Sequence, residues 1–324
     1  MLRKFLPDQF VILLFGTLVL AWVLPVPVKD VPLAQSISFA GIFFLFFLHG
    51  LRLPRHEVAR AMKGWQLQGL MLAFTFILMP LLGLGISTLA AQFLPVALAS
   101  GLLYAAILPS TVQSAVSYAT LGKGNIAASV IGAALSNLSG IFATPLLFAL
   151  MLGSASGVVI GSDIVIKIIT MLLLPFIMGQ GVQNWLGAWA ARQKTLLTFC
   201  DRSVILLAVY VAFGAAVSSG SLEIISLWSL VLLVLFAAIF LGFSFTAAWC
   251  VGGLLDLPRA DRISLLFTGA HKSIAIGAPM AALLFSPKIA GLMILPTILY
   301  HQLQLIASVP LAKRLAAAQD EAGD

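Results

Sequence analysis

The chain is 324 residues long, 61% hydrophobic and only 9% charged, with a mean hydropathy of +1.10. Soluble domains carry about 25% charged residues, so this composition excludes a soluble globular protein and places the chain in a membrane. The formal net charge of +7 invites a nucleic-acid partner, which the placement of the charges argues against.

Apolar stretches of about 20 residues recur, the length a helix needs to cross a bilayer; barrel strands are about 10 residues and alternate. Ten spans are predicted, at 8–26, 33–51, 66–90, 95–121, 125–152, 162–185, 203–219, 225–251, 261–286 and 289–312. Their short connections leave no room for a soluble catalytic domain. Arg3 and Lys4 precede an apolar run at 10–24, as in a signal peptide. No small-x-small cleavage pattern follows, so the run reads as a retained first helix. Residues 316–324 are small and polar and are expected to form a disordered tail. Cys200 and Cys250 show no disulfide framework and no metal spacing.

The charges orient the spans. With the N-terminus inside, the inner segments hold fourteen basic residues, from Arg3 and Lys4 to Lys313 and Arg314. The outer segments hold only Lys29, Lys167 and Lys288. This is the positive-inside pattern, with both termini cytoplasmic in the plasma (inner) membrane. Of the eighteen basic residues, Lys272 alone remains within a span. All eleven acids fall in loops, tails or span ends.

Polar residues gather in two spans. One cluster is Leu108-Pro-Ser-Thr-Val-Gln-Ser114 with Ser117, in the fourth span; the other is residues 268–281, in the ninth. Each lies in the fourth span of a five-span half, and an odd number of spans per half makes the second half inverted. Paired interrupted helices in inverted halves mark the midplane site of a secondary transporter. A helix broken inside lipid leaves N–H and C=O groups that protein, ligand or water must satisfy. Pro109 is the expected breaker of the first; Gly269, Gly277 and Pro279 are the candidates in the second. The bland alternative is a pair of ordinary kinks lined by small packing residues.

The run Pro109-x4-Ser114-x-Val116, followed by Gly124-Asn125, resembles the bile acid:sodium symporter family, and within it the bacterial SBF-like branch of symporter-like proteins. Further pieces of the likeness are Leu173-Leu-Pro-Phe176, Gly269-Ala-His-Lys-Ser273, Gly277-Ala-Pro-Met280 and His301-Gln-Leu-Gln304. The resemblance covers essentially the whole chain. It implies an all-α polytopic membrane protein of ten transmembrane helices in two inverted five-helix repeats, at 1–152 and 153–315. It also implies a panel and a core domain, with the broken fourth and ninth helices crossing in the core. Ser114 and Ser129 match hydroxyl positions of a family sodium site, making Na+ the one candidate cofactor. Ala115 and Ala133 stand where that site has an asparagine and a threonine, and Phe267 or Thr268 where it has an acid. Lys272 stands at a nearby amide position. An arsenite-exporting branch relies on a membrane cysteine and an acid, and neither is in the corresponding stretch.

A lysine at a helix centre costs about 2.5–3.5 kcal/mol on insertion scales, so it marks function by default. Three roles compete. The ammonium replaces a sodium ion and bonds to carbonyls and hydroxyls such as those of Ser110, Thr111 and Ser114; or it carries protons, with His271 or His301 as relay; or it meets an anionic substrate. Snorkelling to the interface is the structural alternative. His301 and Gln304 share a helix face. His49 and His56 are expected at the interface. Ser273, Thr268, Gln113, Ser117, Asn125 and Ser129 complete the candidate site, along with weaker interhelical bonders such as Ser136 and Asn137.

The function expected is secondary transport of a small organic anion by alternating access, coupled to Na+, to H+ or to neither. The alternative is a non-transporting membrane regulator or scaffold. An intramembrane enzyme is disfavoured: there is no His/Asp metal spacing, no Gly-x-Ser-x-Gly and no membrane aspartate pair.

Overall fold

The computed structural model describes residues 9–52, 64–152, 166–167 and 169–320. Arg3, Lys4 and Asp8, the loop carrying Arg55, His56, Glu57, Arg60 and Lys63, the opening of the sixth span and the last four residues of the tail lie outside them. Among the described residues every regular element is helical. Six helices are long and apolar enough to cross a membrane, or seven if one bent pair is a single span.

In chain order the helices are α1 Gln9–Val23, α2 Val31–Arg52, α3 Trp65–Ala90, α4 Val96–Ile107, α5 Val112–Leu121 and α6 Ile126–Leu147. There follow α7 Leu174–Arg192, α8 Lys194–Ser218, α9 Leu227–Leu254, α10 Arg259–Ala270, α11 Ile274–Leu284 and α12 Pro287–Asp320. One expectation fails at the end of the chain. Residues 316–320, read as disordered, continue α12, because Leu315 and three successive alanines are strong helix formers.

The chain forms two compact units. The first comprises Met1–Pro54, Ile160–Ile225 and Gly277–Ile294, and so α1, α2, α7, α8, most of α11 and the start of α12. Here α7 lies against α2 at backbone contact. A Cβ on Gly179 would overlap Phe47 O, and one on Gly50 would overlap Phe176 O; small residues permit this approach between membrane helices. Gln180 Nε2 donates to Gly50 O at 2.5 Å, and Arg52 pairs with Asp201 of α8. His49 stands edge-on to Phe46, one turn before Arg52.

The second unit comprises Arg55–Val159, Ser226–Ile276 and Leu295–Asp324, and so α3–α6, α9, α10 and most of α12. Its core holds the fully buried Tyr104, Tyr300, Phe148, Phe240 and Phe267. The Phe240 and Tyr300 rings meet tilted, with centroids 5.1 Å apart. Outward positions such as Trp228, Leu235 and Phe243 are apolar and exposed. A surface of this kind suits hydrocarbon and would be a liability in water.

Candidate functional site

The first break is built as the proline predicts. Helix α4 ends because Leu108 precedes Pro109 and turns extended, at φ −73° and ψ 152°. The chain stays extended at Thr111 before α5 begins, and the two helices are bent by 66°. Every backbone group thus freed in lipid needs a partner. Thr144 Oγ1 donates to Ile107 O at 2.9 Å, and Ser110 N–H donates to Ser136 Oγ at 3.0 Å. Pro109 O accepts the Ser273 N–H at 2.9 Å. Leu108 O accepts Lys272 Nζ at 2.8 Å. The Pro109 ring packs on Gly140, where a Cβ would come within 2.7 Å of it.

The second break lies at 271–273, which corrects the expected breakers. Gly269 is inside α10, and Gly277 and Pro279 are inside α11. Gly269 serves packing instead: a Cβ there would meet the Phe74 ring at 2.5 Å. The break is held by α12. His271 is extended, at φ −71° and ψ 140°. Gln304 clamps the next residue at both ends, accepting the Lys272 N–H at 2.8 Å and donating to Lys272 O at 3.1 Å. Tyr300 OH donates to Ala270 O at 2.8 Å. Side chains one turn apart on α12 thus replace the helical partners that α10 and α11 lack.

Lys272 is fully buried, so it does not snorkel. Its ammonium bonds to carbonyls, not to the expected hydroxyls of Ser110, Thr111 and Ser114. One carbonyl is that of Leu108; the other is Thr75 O, at 3.2 Å. Thr75 lies in a π-helical turn, Phe74–Leu78, within α3. There the Met79 N–H bonds to Phe74 O, one residue beyond its α-helical target, Thr75 O. Residue 80 is proline and has no N–H to offer. Thr75 O is therefore left without a helical donor, and the lysine supplies one. Among the described residues no carboxylate is a partner of the ammonium.

His271, also fully buried, has a serine on each ring nitrogen. Nδ1 is 2.9 Å from Ser114 Oγ, and Nε2 is 2.8 Å from Ser308 Oγ. Ser114 Oγ is in turn 2.5 Å from Thr111 Oγ1. A hydroxyl gives or takes a proton, so this chain accommodates either tautomer. The Tyr118 and His271 rings meet edge to face at 5.6 Å. His301 Nδ1 stands 2.8 Å from Gln304 Nε2, beside the Lys272 carbonyl.

The structure thus brings together Lys272, His271, Ser273, Ser110, Thr111, Ser114, His301 and Gln304. Thr268 is buried nearby on α10, and its hydroxyl has no partner among the described residues. Asn125 and Ser129 belong to a separate group at the start of α6. Asn125 caps that helix by accepting the Ala128 N–H, and it donates to Asp261 at 2.8 Å. Ser129 Oγ and Ser264 Oγ both donate to Asn125 O. Gln113 and Ser117 are exposed on α5. Sequence reasoning missed Thr75, Thr144, Tyr300 and Ser308. Only Thr75 had a legible signal, the proline five residues on.

The arrangement can hold a positive charge deep in an apolar protein without an acidic partner. It can also link a buried imidazole to a half-buried hydroxyl. Comparison with known proteins agrees with a transport chain. An uncharacterized protein of Pseudomonas aeruginosa is 38% identical over 319 residues, covering 98% of this chain and 96% of its own. The Escherichia coli protein named "Putative symporter YfeH" is 36% identical over 328 residues, covering 98% and 97%. Sodium/bile acid cotransporter 7 of Rattus norvegicus is 27% identical over 274 residues, covering 84% and 80%. The two relatives with a named activity are transporters and not enzymes. The family model that matches residues 8–317 is that of the SBF-like CPA transporter family, and to that family this membrane chain belongs.

Proposed function

We propose that the chain is a secondary transporter that moves a small organic anion across the plasma (inner) membrane by alternating access. The observation that carries this reading is the buried Lys272 ammonium where the two breaks meet, bonded to carbonyls and balanced by no carboxylate among the described residues. An uncompensated buried charge is costly, and a counter-charge that arrives with the substrate offsets that cost. The relative named as a sodium/bile acid cotransporter supports an anionic substrate class.

The reading takes α4 with α5, and α10 with α11, as one span each. Ten spans result, with both breaks in the fourth span of a half. Grouping of the helices into units supports the inverted repeat. Spans one, two, six and seven fall in the first unit, and spans three, four, five, eight and ten fall mainly in the second. They are read as panel and core, with both termini cytoplasmic.

Lys272 takes the part of a coupling cation in this reading. Ser114 and Ser129 make a poor sodium site, because their hydroxyls are engaged by His271 and by Asn125 O. Ala115 and Ala133 add no oxygen. The test is uptake of a panel of carboxylates, bile acids included, into proteoliposomes. Saturable uptake of at least one anion is expected, little changed when Na+ is replaced by choline. Uptake of none of them sinks the transport reading and favours a regulator. Strong Na+ dependence sinks the role given to the lysine.

A further inference from the structure

The carbonyls that hold Lys272 are unusual in how they came to be free. Each is orphaned by a proline. Pro109 ends α4 and turns Leu108 extended. Pro80 removes the donor that the π-turn would otherwise present to Thr75 O. Neighbouring acceptors in the first break are already taken, Ile107 O by Thr144 and Pro109 O by Ser273. Leu108 O and Thr75 O are the two left for the ammonium. Thr75 adds a buried hydroxyl without a partner among the described residues. The C-terminal end of α4, where its dipole is negative, lies at Leu108.

We infer that Leu108 O and Thr75 O form a monovalent-cation site, occupied in this chain by its own Lys272 ammonium. The oxygens are neutral and hard, the ligand type that suits Na+, K+ or a small alkylammonium over a soft metal. They belong to two different stretches of helix, α3 and the end of α4, and the ammonium ties both to the second break. The lysine is itself held from behind, since Gln304 grips its N–H and its C=O. Shortening the side chain therefore removes the cation and leaves the cradle standing. The inference rests on the reading of Lys272 as a fixed charge.

The test is the melting temperature of purified wild type, Lys272→Ala, Lys272→Met and Lys272→Gln at constant ionic strength. The salts are choline, Na+, K+ and methylammonium chloride. Wild type is expected to melt alike in all four. Lys272→Ala is expected to gain about 3 °C, saturably, from at least one small cation over choline, as mass action on a folded-state site requires. Lys272→Met, whose side chain refills the space, is expected to gain nothing. Lys272→Gln leaves one carbonyl open and shows the same dependence at smaller amplitude; it decides the matter if Lys272→Ala does not accumulate in the membrane. Absence of any cation-specific gain in both polar-site variants overturns the proposal, as does an equal gain in Lys272→Met. Melting reads the cradle and not transport. A chain that transports nothing yet shows the cation gain sinks only the transport reading, and a chain that transports without the gain sinks only this one.

Discussion

At residues 108–111 a proline breaks the helix, and donors and an acceptor come in from elsewhere to serve the exposed backbone. At 271–273 no proline stands in the break, and two of its residues, Lys272 and Ser273, are themselves donors. The first break depends on Thr144, Ser136, Ser273 and Lys272. The second is held open by Gln304 and Tyr300 of a single helix. The two breaks thus share an extended backbone and not a cause. One is broken by its own covalent chemistry, the other by what α12 offers it.

The largest way to break the comparison is at the residue that belongs to both sides. Lys272→Met removes the only charge that the described residues place where the breaks meet. Anion uptake is expected to fall more than tenfold, at least 1.4 kcal/mol of coupling energy. Stability should move far less. Two carbonyls lose a donor, at about 1–3 kcal/mol each, while relief of the buried charge returns several kcal/mol. A variant that loses uptake only in proportion to its loss of folded protein contradicts a transport role for the charge.

Next is the clamp. Gln304→Leu leaves the Lys272 N–H without its acceptor and weakens the hold on Lys272 O, and should cost about 2–4 kcal/mol. A thermal or denaturant melt measures it. If the second break were caused by local sequence, the loss would be near zero. The matching change on the other side is Thr144→Val, similar in size and shape. It leaves Ile107 O unpaired and should cost about 1–2 kcal/mol, without altering the backbone course that Pro109 already imposes. A larger loss for Thr144→Val than for Gln304→Leu reverses the contrast drawn between the breaks.

This contrast also explains how far the sequence could be read. Helix positions, the two polar clusters and the membrane lysine are legible because side-chain type reports them directly. The acceptors of that lysine are not. Thr75 O and Leu108 O are backbone groups, which every residue has, and only a proline at the right offset betrays their freedom. Placing the second break on Gly269, Gly277 and Pro279 went wrong for the same reason. Those residues look like breakers, whereas the agent is a glutamine on α12 about thirty residues away. His301-Gln-Leu-Gln304 was legible as a polar face, but its clamping role depends on a contact that periodicity does not encode.

The smallest expected effect separates the structural part of the α4–α5 span from any part that meets substrate. Gln113 and Ser117 sit on the same helix as Ser114, yet they are exposed, whereas Ser114 bonds to His271. Substituting either by alanine should change stability by less than about 0.5 kcal/mol, as exposed positions without buried partners do. Ser114→Ala removes the link to His271 and should cost about 1 kcal/mol. Uptake then carries the distinction. A Gln113 or Ser117 variant that melts like wild type but raises the substrate concentration for half-maximal uptake assigns that side chain to the substrate path. Variants unchanged in both respects confine the polar function of this span to the side that faces the second break.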